Sequence, residues 1–209
     1  MKRFPYMKKV SMVLFVLLIL PAVSVQADDF ARLRKDSVRI STITADFVQK
    51  KSMKILSKPL VSEGKFYYAA PDSIRWEYSR PLKSVVISGK GSTKRYIASG
   101  GKMVEDKTGG AQAMQIVLGD VAGWMNGRFD SNPAFTAALR EGTDPLITLT
   151  PKGKNMTGMI EKIEITISKK DASVKSVRIV ESATAETRID FLNVVVNKNI
   201  DSSVFQVIQ

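Results

Sequence analysis

Cysteine and histidine are both absent from the 209 residues. Without cysteine there can be no disulfide, no thiolate zinc site, no cysteine nucleophile and no residue to carry a lipoprotein's own acyl anchor. Without histidine the commonest general base and the commonest metal ligand are missing. Carboxylates, Lys, Ser, Thr and Tyr remain for chemistry, and of the candidate acids Asp72, Glu77 and Glu105 none pairs with a base in a recognisable spacing. The expectation is a protein that is not an enzyme and holds neither metal nor cofactor.

Long apolar runs are scarce as well. The longest, Val10 to Leu20, falls short of the roughly 20 residues needed to span a bilayer. It follows the basic Lys2, Arg3, Lys8 and Lys9, is broken by Pro21, and leads to the small residues of Val25-Gln26-Ala27. That order describes a secretory signal peptide, residues 1–27, cleaved after Ala27. Residues 28–209 are then one domain, long enough for a sizeable core. The leader holds four of the 32 basic residues and none of the 20 acidic ones, so its removal lowers the net charge from +12 to +8. A basic surface suits anionic lipid or an acidic protein, and export disfavours nucleic acid as a partner.

After the leader, Phe30, Leu33, Ser37 and Ile40 recur at helical spacing, with Asp28 or Asp29 as a candidate N-cap. The period then changes from 3.6 to 2. Alternating runs span Thr44–Ile55, Val61–Ala69, Ser73–Ser79, Leu82–Ser88, Thr93–Ala98 and Lys102–Asp106, separated by Pro- and Gly-containing breaks. A second helix, Ala111–Met125, places Met114, Val117, Leu118, Val121 and Trp124 on one face, and Asn126-Gly127 is its stop. Further strands follow at Ala134–Glu141, Pro145–Pro151, Ile160–Ser168, Ser173–Glu181 and Ala185–Asn197, the last bent near Asn193. A short helix is placed around Asn155–Met159.

Short strands with such punctuation form antiparallel hairpins, and about eleven of them in one sheet must curl as twist accumulates. The expected fold is mainly β with lid helices (α+β): an incomplete antiparallel barrel whose concave face is covered by helices. Alternation assigns Phe66 and Tyr68, the set Ile74, Trp76 and Tyr78, and Val85 with Ile87 to apolar faces. Ile163, Ile165 and Ile167 alternate likewise, as do Ile189 and Phe191. Burial of each such side chain stabilises the fold by about 1.5–3 kcal/mol, so alternation alone favours a filled core over a cavity.

Several segments, in order, resemble the LolA family of outer-membrane lipoprotein carriers. They are Ala45-Asp46-Phe47-Val48-Gln49; Gly64-Lys65-Phe66; Pro71 with Arg75-Trp76-Glu77-Tyr78 and Pro81; and Leu149-Thr150-Pro151-Lys152. The run from Glu181 through Thr187, Ile189, Phe191 and Asn193 to Ile200-Asp201 and Phe205 completes the series. The resemblance implies a cavity rather than a full core. Its wall would be Phe47, Phe66, Tyr68, Ile74, Trp76, Tyr78, Val85 and Ile87, and its lid Met114, Val117, Leu118, Val121, Trp124 and Met125. It also implies a monomeric periplasmic carrier that takes acylated lipoprotein, or a related lipid cargo, from an inner-membrane ABC transporter to an outer-membrane receptor.

Two departures mark a divergent member. The family's basic residue before the proline that precedes the Arg-Trp motif is Ala70 here, and many carriers have a longer tail after the position of Phe205. The rival reading is a periplasmic lipid- or lipoprotein-sensing or interaction protein with the same fold and no transport role. A separate cluster, Lys50, Lys51, Lys54 and Lys58, crowds the end of the first strand. It suits an acidic partner or anionic headgroups, or else is a solvated edge that discourages aggregation.

Overall fold

The computed structural model describes residues 26–107, 110–153 and 160–206, the side chains of 26–29 and 110–116 excepted. A helix, α1 (Gln26–Ser37), precedes six strands: β1 (Thr42–Met53), β2 (Leu60–Ala69), β3 (Ser73–Arg80), β4 (Ser84–Gly89), β5 (Ser92–Ser99) and β6 (Lys102–Glu105). A second helix, α2 (Gly110–Met125), leads to β7 (Phe135–Arg140), β8 (Leu146–Pro151), β9 (Lys162–Ile167), β10 (Val174–Ser182) and β11 (Ala185–Val196). A 3-10 turn, Ser202–Phe205, comes last. The helix placed at Asn155–Met159 lies outside the described residues.

All eleven strands form one antiparallel sheet in the order β6-β5-β4-β3-β2-β1-β11-β10-β9-β8-β7. Two meanders, one from each half of the chain, meet along the β1–β11 seam, where Phe47 faces Phe191 and Gln49 faces Ile189. The register shifts between Thr44 and Asp46. Asn193 absorbs the extra length at φ +52°, a conformation Asn tolerates better than most residues, and its amide donates to Asp46 Oδ2 at 2.8 Å. The bend expected near Asn193 is this bulge. The sheet stays open, with β6 and β7 at its two edges, and the helices lie on its concave side: an incomplete barrel.

The main core lies on the concave side. Phe30, Leu33 and Ile40 of the α1 region are buried in it with Leu118, Val121, Trp124 and Met125 of α2. The α1 helix already contains Asp28 and Asp29, so neither caps it. Gly127 ends α2 at φ +81°, and a Cβ there would lie 2.9 Å from Arg34 Cα and 3.0 Å from Ser37 Cβ. Glycine therefore both stops the helix and lets α1 approach it.

Val85 and Ile87 are corrected by the structure. They belong with Tyr96 to a second, smaller cluster on the opposite face of β4–β5. The pairing of Trp76 with Val86 shows why: Val86 shares the face of Trp76, and its neighbours must point the other way. Three consecutive apolar residues hide which alternate set is inward.

Candidate functional site

The floor of the concavity is aromatic. Phe47 on β1 stands opposite Gly64 on β2, and Gly64 in turn opposite Tyr78 on β3. A Cβ on Gly64 would sit 1.8 Å from the Glu77 carbonyl oxygen and 2.9 Å from Phe47 Cε1. The missing side chain is what lets the Phe47 ring lie 5.2 Å from both Trp76 and Tyr78, centroid to centroid. Phe66 reaches Trp76 and Phe191 at the same spacing, in tilted and edge geometries that aromatic pairs favour.

Above this floor, beneath α2, lies a cavity of about 510 Å³, within the roughly 300–1,000 Å³ span of small-ligand pockets. One side is Trp76 and Tyr78 of the first meander. The other is Ile163, Val177, Ile179, Ile189 and Phe191 of β9–β11, brought opposite by cross-strand registers that align Ile163 with Ile179 and Val177 with Ile189. Val117, Leu118, Val121 and Trp124 of α2 form the roof, with Phe135 and Ile160 at its border. Leu118, Val121 and Trp124 are buried, whereas Val117 is 54% exposed and marks the opening.

Of the residues expected in the wall, Trp76 and Tyr78 line this space. Phe47, Phe66, Tyr68 and Ile74 are buried in the packed floor and do not line it. Met125 is buried without reaching the cavity, and the side chain of Met114 lies outside the described residues. The C-terminal wall was missed as a site, although the alternation of Ile163, Ile189 and Phe191 was legible. The missing signal was the seam that closes β11 onto β1.

Polar groups are few and held. Tyr78 donates its hydroxyl to Gln49 Oε1 at 3.0 Å, and burial pushes its ionisation above the usual tyrosine range, so it stays a neutral donor. Thr187 donates to Glu181 Oε1 at 2.9 Å, and Lys51 pairs with the same Glu181. Asp120 of α2 borders the cavity and accepts from Asn132 Nδ2 at 3.0 and 3.1 Å. Burial pushes the Asp120 carboxyl up, against the opposing pull of that bond.

No group of three or more potential metal-ligating side chains occurs among the described residues, and none of their helices is long and apolar enough to cross a membrane. Chemically, the arrangement can enclose hydrocarbon. A second hollow of similar volume lies on the convex face beside the 3-10 turn, where Ile87, Ile200 and Phe205 share the lining with serine hydroxyls, Lys90 and Lys94.

Comparison with known proteins matches residues 39–208 to the family model for "Outer membrane lipoprotein carrier protein LolA". No curated protein matches the chain. Among solved structures, an uncharacterized conserved protein from Thermus thermophilus shares the fold at a TM-score of 0.54 and 9% identity, covering 88% of this chain and 94% of that one. A LolA superfamily protein from Nitrosomonas europaea is similar at TM-score 0.42 and 7% identity, over 88% and 99%. The MucA/MucB complex of Pseudomonas aeruginosa gives TM-score 0.43 and 12% identity, over 87% and 60%.

Proposed function

The chain belongs to the LolA family of outer membrane lipoprotein carriers, and from that premise we propose that it carries acyl chains of a lipoprotein or related lipid across the periplasm. The observation that supports this reading is the apolar cavity under α2, walled by both meanders and open beside Val117. Each methylene buried there contributes about 0.8 kcal/mol, so even one chain of moderate length would be held firmly. Displacing α2 from the floor offsets part of that gain and keeps release within reach.

In this reading residues 1–27 are the export signal and 28–209 the carrier domain. Cargo comes from an inner-membrane ABC transporter and leaves to an outer-membrane receptor. The role is binding and transfer, with Trp76, Tyr78, Val117, Leu118, Val121 and Trp124 touching hydrocarbon. Phe47, Phe66, Tyr68 and Ile74 support it from below.

The test is displacement of a fluorescent fatty acid by a diacylated lipopeptide. Val117→Glu places a charge at the opening without disturbing the packed core, and a drop in affinity of at least about tenfold is expected, with Val117→Leu near the parent. Equal affinity in the parent and in Val117→Glu would move the binding site elsewhere, and no binding in either would leave the fold without a carrier role.

A further inference from the structure

One end of the sheet carries a combination of side chains that the cavity does not explain. Strands β1, β3 and β10 run in the same direction, so the turns β1–β2, β3–β4 and β10–β11 all lie at that end. Two of these tips are tied directly, since Lys54 N donates to Thr184 O at 2.8 Å. Ile55 at the tip of the first hairpin is 88% exposed, Leu60 beside it 56%, and Leu82 in the β3–β4 turn 78%.

Around these side chains stand Lys50, Lys54, Lys58 and Lys83, all exposed. Of the acids at this end, Glu63 is engaged by Arg80 at 3.6 Å, Glu181 by Lys51 and Glu186 by Arg178 at 2.6 Å. The four lysines form no ion pair among the described residues. A charged rim that only keeps a sheet edge soluble has no need of an isoleucine and a leucine at its outermost points. Apolar tips ringed by uncompensated cations are what an interfacial surface presents, the tips entering the headgroup boundary while the cations meet negative lipid.

We propose that this end docks on an anionic phospholipid surface through Ile55, Leu60 and Leu82, held by Lys50, Lys54, Lys58 and Lys83. The cavity reaches toward the same end: Gln49, Tyr78, Ile179 and Thr187 line it and lie near the ends of β1, β3, β10 and β11 that carry these turns. Docking would therefore set the polar end of the cavity toward the bilayer. The docking does not depend on what the cavity holds.

The experiment is cosedimentation with vesicles of phosphatidylcholine alone and of phosphatidylcholine with phosphatidylglycerol, using protein purified in the form the cell makes. Binding is expected only to the second kind and falls as salt is raised. Lys54→Gln with Lys58→Gln lowers partitioning about 25-fold, at about fivefold per lysine. Ile55→Ser with Leu82→Ser weakens binding while leaving its salt dependence. Val117→Glu, which tests the cavity, leaves it unchanged. Binding equal on both vesicle types, absent from both, or unaltered in both double variants overturns the proposal, and capture by an acidic protein without vesicle binding does so as well.

Discussion

Asn126 donates from its side-chain amide to the hydroxyl of Tyr68 at 3.3 Å, joining the residue just after α2 to the floor of the sheet. The same nitrogen lies 3.3 Å from the Pro71 carbonyl, so one side chain bridges helix, β2 and the β2–β3 turn. Beside it Ala70, where the family carries a basic residue, offers no side chain for such a bridge.

Asn126→Ala should therefore loosen the α2 end. A loss of about 1 kcal/mol in urea unfolding is expected, with faster release of a bound fatty acid. Tyr68→Phe removes the same bond from the other side. In a double-mutant cycle the two changes should be less than additive. Full additivity would mean the contact carries no coupling.

Gly64→Ala should be among the most damaging single changes. A Cβ there collides with the Glu77 carbonyl, which belongs to the β2–β3 ladder and cannot step aside. A loss of about 3 kcal/mol or more is expected from such overpacking, read as a lower midpoint in chemical unfolding. Fluorescence of Trp76 should shift too, because the Phe47 ring against it must move.

The pH dependence of stability separates Asp120 from the other carboxylates. Its folded pKa is raised, chiefly by burial, so the stability associated with it is complete below the ordinary value of 3.8 and is lost as pH rises through the folded value. Asp120→Asn should then raise Tm at neutral pH, and the advantage should vanish in acid. Bonds from Lys162 and Arg178 hold Glu164 low even though burial pushes it upward. Asp46 is held low first by its bond from Asn193. For these two the sign is opposite: stability is present above their unfolded values and lost as pH falls through the folded ones. Thermal scans across the acid range on Asp120→Asn and Glu164→Gln check both directions. Parallel curves for the two variants would refute the assignment.

Most of the architecture was legible in residue order. Alternation, with Gly/Pro breaks between most but not all neighbouring strands, marked the sheet, and the α2 face from Leu118 to Trp124 is buried as its spacing predicted. Local signals failed where several alternatives satisfied them. Val85-Val86-Ile87 reads inward either way, and only pairing with Trp76 decides. Leu82 looked like the start of a strand because it is apolar, yet it stands exposed in a turn. Alternation places Phe66, Tyr68 and Ile74 on apolar faces and the resemblance adds Phe47, but neither tells a side chain that lines a space from one packed beneath it. The wall supplied by β9–β11 escaped because it depends on a pairing between opposite ends of the chain.

That pairing has a thermodynamic consequence. The cavity straddles the seam where β1 meets β11, with Gln49 and Ile189 adjacent across it, so neither meander encloses a ligand alone. A ligand seated there acts as a fastener between the first strand to be made and the last. It protects the whole sheet against unfolding rather than one lobe, and its occupancy reports on the integrity of the entire chain.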